Sequence, residues 1–231
     1  MGSTAKRTKY ELIVVNRKAC RKCVGVHNPA IIQDGALDSI HVGPWTEWQG
    51  NLDADLMVVG QDWGGHEYFV KFGGKERDNN PTNARLKIFL KDVGYEIEMP
   101  EYATGGGELY FTNAMLCCRE GLLTENASTG TKAVRSVWFR NCESLLRAQI
   151  ELVNPKVIVT LGYYAYRSVL LSFGLRPEPT MRAALASPRH YLVGSRSSVV
   201  PLYHCGNNGL RSRKLELQRT DWEKVKSAMS R

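Results

Sequence analysis

The chain has 231 residues, 43% of them hydrophobic, a formal charge of +8 and a pI of about 9.2, which is enough apolar material for a full core in one domain. No run approaches the roughly 20 apolar residues of a membrane span, and Met1–Arg7 carries neither a secretory apolar region nor the myristoylation pattern, since Lys6 stands where Ser or Thr is needed. A cytoplasmic or nucleoid-associated monomer is therefore expected, with six cysteines that act as thiols or metal ligands rather than disulfides.

In chain order, residues 1–15 read as a basic arm and 16–231 as one domain. Cys20 and Cys23 then form a C-x-x-C pair, the spacing by which two thiolates hold one metal or cluster. A thioredoxin-type redox pair shares that spacing, although such a motif follows a first strand and this one precedes the sheet. Leu56–Val59 is a short, buried-type strand ending at Gly60-Gln61-Asp62-Trp63-Gly64. Asn80 is a plausible N-cap with Pro81 at the first helical position, and Leu86, Phe89, Leu90 and Val93 follow at helical spacing.

Gly105–Gly107 is a flexible turn before a second strand, Leu109–Ala114. Cys117 lies just past that strand with Cys118 beside it, and Val134, Val137, Trp138, Leu145 and Leu152 stripe a helix that also holds Cys142. Val157–Leu161 is a third strand, and Tyr166, Val169, Leu170 and Phe173 a further helix. A fourth strand, Ser198–Tyr203, ends at His204; Leu215, Trp222, Val225 and Met229 mark a last helix.

Strands alternating with helices predict a three-layer α/β/α sandwich around a mainly parallel four-stranded sheet. Ligands of such sheets bind beyond the carboxyl ends of the strands, so Asp62, Asn113 and His204 should meet in one pocket. The glycine-rich stretches match no dinucleotide or Walker pattern. The charge is uneven: residues 176–231 hold eleven Lys/Arg against four acids, a net of +7, whereas 51–175 is net −2. A polyanion would meet the C-terminal quarter.

The order C-x-x-C, Gly60–Gly64, Thr112-Asn113-x-x-x-Cys117, Gln149 to Gly162 with its Pro-Lys-Val-Ile-Val core, and His204 resembles the uracil-DNA glycosylase superfamily. It is most similar to the iron-sulfur families four and five, from about Cys20 to Met229. Three departures stand out. Gln61-Asp62 replaces the Glu-Ala-Pro or Leu-Ala-Pro of those families and is what family one carries. His204-Cys205-Gly206 lacks the usual Pro after the His. The segment Leu116–Val137 is long, with Thr124–Thr131 rich in small polar residues.

The resemblance implies a monofunctional glycosylase that removes uracil, or a related deaminated base, from DNA. Asp62 would orient or deprotonate the attacking water and stabilise the sugar cation. His204 would hydrogen-bond the base O2 as negative charge develops there, Asn113 would read O4 and N3–H, and Gly60 and Gln61 would line the base site. Tyr68, Phe69 and Phe72 are candidates for an aromatic platform. Leu210 would wedge into the duplex between Arg211 and Arg213, which grip phosphates. Cys20, Cys23, Cys117 and Cys142 would hold a structural [4Fe-4S] cluster, with zinc as the alternative and Cys118 competing for the third position. Other readings on the same fold are a glycosylase for hypoxanthine, xanthine or an oxidised pyrimidine, and a catalytically weak nucleic-acid-binding module.

Overall fold

The computed structural model describes residues 3–97, 109–120 and 132–231. Gly105–Gly107 and Thr124–Thr131 lie outside the described residues, as does the side chain of Val134.

The strands are β1 (Val26–His27), β2 (Leu56–Gly60), β3 (Leu109–Asn113), β4 (Cys118–Arg119), β5 (Val157–Leu161), β6 (Tyr191–Val193) and β7 (Ser197–Leu202). The helices are α1 (Ser3–Ala19), α2 (Pro44–Trp48), α3 (His66–Lys71), α4 (Pro81–Asp92), α5 (Lys132–Val153), α6 (Tyr163–Ser172), α7 (Met181–Ala186), α8 (Asn207–Ser212) and α9 (Leu215–Met229).

Every residue of β2, β3 and β5 is buried, which is why these strands are continuous apolar runs and not alternating ones. They lie in the order β3-β2-β5-β7-β6, the first four parallel. The sheet therefore has five strands, one more than expected: Tyr191–Val193 adds an antiparallel edge to β7. Three residues with one buried side chain carry too little periodicity to stand out in the sequence.

Helices α1, α5 and α6 pack together, as do α4 and α9, and both α6 and α9 rest on β5 and β7, giving the expected α/β/α sandwich. Helix α4 starts as its sequence indicates, with Asn80 accepting from the Thr82 amide, Pro81 at N1 and Leu86, Phe89 and Leu90 buried. Two stripe positions are not core. Val137 is 42% exposed on α5, where Trp138, Cys142, Leu146 and Ile150 make the buried face instead, and Leu215 is 37% exposed at the first position of α9.

Residues 3–15 are not a free arm. They belong to α1, which packs against α5 with Tyr10, Ile13 and Val14 buried. Arg17 anchors its end: the guanidinium donates to Asp38 at 2.7 Å and to the His41 carbonyl at 2.9 Å, with the two side chains 1% and 4% exposed. Removing one member of a buried pair strands the other charge, typically at a cost of about 3–5 kcal/mol. Arg17→Ala should accordingly lower the unfolding free energy measured in urea by about 3–5 kcal/mol, and an unfolding curve unchanged from wild type would show that the pair contributes nothing.

Candidate active site

Beyond the carboxyl ends of the parallel strands lies a cavity of about 410 Å³, lined among others by Gln61, Asp62, Tyr68, Glu76, Arg119 and His204. Its size falls in the range of roughly 300–1,000 Å³ typical of small-ligand sites.

Asp62 leaves the end of β2 and is held on all sides. Gln61 Nε2 donates to Oδ2 at 2.7 Å, the Gly64 amide to Oδ1 at 2.9 Å and Arg119 Nη2 to Oδ1 at 3.1 Å. Arg119 Nε lies 3.0 Å from Oδ2, and the paired side chains are 8% and 4% exposed. Asp62 thus does cap the turn after its strand, and it also faces the cavity. Arg119, one residue past the adjacent cysteines, was not singled out from the sequence, because an Arg in a two-residue strand has no local signature.

His204 follows β7. Its Nδ1 accepts the Gly206 amide at 2.9 Å, so in the neutral ring the proton sits on Nε2, which becomes a donor. Burial pushes its pKa below the ordinary histidine value, with the Asp62 charge opposing, so the ring is neutral near pH 7. The loop lacking Pro is braced by other means. Arg85 of α4 donates to the Cys205 carbonyl at 3.0 Å and to Asn207 Oδ1 at 2.9 Å, and a Cβ at Gly209 would sit 1.7 Å from the His204 carbonyl oxygen, so only glycine fits there.

Asn113 ends β3 in register with Gly60. It is 0% exposed, and neither amide atom has a hydrogen-bond partner among the described residues. Neither Asn113 nor Gly60 is among the cavity-lining residues, and a Cβ built on Gly60 would meet both Asn113 and Trp45. Of the three aromatic candidates only Tyr68 lines the cavity. Phe69 is core at 4% exposure, and Phe72 stands edge-on to Tyr68 with its face under Arg77. Trp45 and Trp63, absent from the sequence-based set, line the cavity, as does Glu76. Burial raises the Glu76 carboxyl, opposed first by the Asn83 amide donating at 2.7 Å.

The proposed DNA grips are less free than expected. Arg213 pairs through two bonds of 2.8 Å with Asp221 of α9, a contact twenty-odd possible sequence partners conceal. Leu210 is half-buried in α8, and Arg211 is exposed.

The four cysteines at 20, 23, 117 and 142 come within electrostatic reach of one another. Burial raises the Cys117 thiol, reinforced in turn by Cys142, Cys23, Cys20 and Cys118, and it raises Cys142 to about 12. The neighbouring Cys118 thiol is itself raised by burial and by Asp62, with Arg17 opposing. Asn141 donates to Cys23 Sγ at 3.3 Å and to the Lys22 carbonyl at 3.1 Å, and Trp138 to the Val24 carbonyl at 2.8 Å; the Leu116 amide bonds to Cys142 sulfur. Such N–H donors suit thiolate ligands. A redox pair needs a lowered thiol pKa, and that of Cys23 is raised by burial. Among the described residues no three His, Cys, Asp or Glu close to metal-holding geometry.

Residues 47–226 match the family described as the uracil DNA glycosylase superfamily. This chain belongs to that superfamily. It is similar to the type-5 uracil-DNA glycosylase of Pyrobaculum aerophilum, 30% identical over 139 residues that cover 58% of this chain and 54% of that protein. It is also similar to the type-4 uracil-DNA glycosylase of Thermotoga maritima, 27% identical over 183 residues, 79% of this chain and 80% of the relative. The chain thus spans about half the length of the first relative.

The desolvated His204 generates a pH prediction. Its folded pKa lies below the unfolded value near 6.5, so the unfolded chain takes the proton first as pH falls, and stability is lost between the unfolded and the folded pKa. Thermal melts of His204→Gln between pH 7 and 5 should show a shallower fall in Tm than wild type. Equal slopes would mean that the imidazole is not desolvated.

Proposed function

We propose that this protein is a DNA glycosylase that hydrolyses the N-glycosidic bond of uracil, or of a related deaminated base, leaving an abasic site. The observation that carries the reading is the pairing of Asp62 with a neutral, Nε2-protonated His204 across one cavity at the strand ends. In the reaction the C1′–N bond breaks and its electron pair leaves with the base. Water oxygen then bonds C1′, and the displaced water proton ends on the departing base.

Asp62 stabilises the oxocarbenium-like sugar and orients the water. Because Gln61, Gly64 and Arg119 already occupy much of its acceptor capacity, its role is weighted toward charge stabilisation. His204 Nε2–H donates to O2, where charge collects, without needing to be ionised. Asn113 pairs with O4 and N3–H, and cytosine, with a donor amine at position 4, would leave a buried group unpaired. Tyr68 and Trp63 offer aromatic faces to the base. DNA approaches the basic C-terminal quarter, with Leu210 the wedge and Arg211 a phosphate contact, while Arg213 must leave Asp221 to serve as one.

Cys20, Cys23, Cys117 and Cys142 would hold the structural [4Fe-4S] cluster, or zinc, fastening the segment after α1 to α5 and β4. When bound there, such a cluster would supply rigidity to these segments. A second reading, removal of hypoxanthine or xanthine, is favoured by the added polar wall of Glu76, Asn80 and Asn83, whose Asn83 Oδ1 has no partner among the described residues.

Oligonucleotides carrying a single uracil, hypoxanthine, xanthine or hydroxymethyluracil, incubated with the enzyme and then cleaved by alkali at abasic sites, distinguish these substrates. Asp62→Asn should lower turnover of the preferred oligonucleotide by orders of magnitude with affinity near wild type, since the carboxylate acts in the transition state; unchanged turnover removes Asp62 from catalysis.

Anaerobically purified protein should be brown, with a broad visible shoulder that Cys20→Ser abolishes together with thermal stability. Colourless protein with stoichiometric zinc would replace the cluster by zinc, and metal-free folded protein would rule out both.

A further inference from the structure

Asn113 is the residue that base recognition needs most, and it is shut off from the cavity. Both polar atoms of its amide are buried and unpaired among the described residues, at a typical cost of about 1–3 kcal/mol for a stranded group. A base that pairs the amide would relieve that cost.

The side chain that meets it at the end of β2 is Trp45. A Cβ built on Gly60 would lie 2.2 Å from Asn113 Oδ1 and 2.5 Å from Trp45 Cζ3, so the amide oxygen and the indole edge press on the same point at the end of β2. Trp45 lines the cavity and Asn113 does not. The indole is held from both sides by rings, edge-on to Trp63 at 6.4 Å and tilted against Phe111 at 5.6 Å. It projects from α2, a helix of only five residues.

We propose that Trp45 is a specificity-determining lid over the Asn113 amide, which an entering base must move aside before it can be read. The inference rests on the glycosylase reading above and extends it. A base that pairs both amide atoms offsets the loss of the indole contacts. One that pairs only one atom displaces the lid and still leaves a buried group stranded, so the lid sharpens the discrimination that the amide makes alone.

Two measurements test it. In the base-free protein the Asn113 side-chain amide protons should be protected from solvent exchange, and Trp45→Phe and Trp45→Ala should speed their exchange by about tenfold or more, as expected when a local cover is removed. Equal exchange in wild type and the folded Phe variant would overturn the lid, whether or not the enzyme removes uracil. Separately, 5-fluorotryptophan labelling gives one fluorine resonance for each of the five tryptophans, and Trp45→Phe assigns the line of interest. A single-stranded oligonucleotide with one 2′-fluoro-2′-deoxyuridine, which resists cleavage, should shift that line, and the same oligonucleotide with deoxycytidine should not. Saturation by the uracil probe with the Trp45 line unmoved would overturn the proposal. Failure to excise uracil would sink the glycosylase reading and leave the exchange result standing.

Discussion

The register of the parallel sheet is the constraint on which the site depends. Gly60 pairs with Asn113 across β2 and β3, and Leu161 with Leu202 across β5 and β7, so the strands end at one level. The residues just past those ends, Asp62 and His204, therefore face a common cavity without any long-range steering of their own. A one-residue slip would turn every side chain of a strand to the other face. Complete burial of β2, β3 and β5 leaves such a slip nowhere to go, because the helices of both outer layers pack against their side chains.

Electrostatically the cavity keeps its charges accounted for while leaving some hydrogen-bonding capacity unused. Asp62 is ionically paired to Arg119, and the half-buried His204 avoids a second charge by staying neutral, with its tautomer set by one backbone amide. Asn113, by contrast, has no partner at rest among the described residues. The satisfied groups hold the geometry, and the stability forgone at Asn113 is what a correct base would return on binding.

The ribbon of β1 and β4 joins this cavity to the cysteines. β1 starts three residues after Cys23, β4 starts one residue after Cys117, and they pair through Val26 with Arg119 and His27 with Cys118. Arg119 of that ribbon is the cation on Asp62, and Gly65 bridges to the same residue. Whatever holds the four thiols together would thus also fix the strand that presents Arg119.

The four parallel strands, helix α4 with its Asn80 cap, and the positions of Asp62 and His204 were legible in the sequence. Buried strands and capped amphipathic helices write themselves into local composition, and strand ends in such sheets point one way. The approach of Cys20, Cys23, Cys117 and Cys142 to one another, the pairing of Arg213 with Asp221, the burial of α1 and the packing of Trp45 against the end of β2 were decided by the tertiary structure alone. Each is a contact that local periodicity does not specify, and its energy arises only when packing brings the two surfaces together. Periodicity and spacing report which residues tend to be buried; they carry no record of what a buried group will meet.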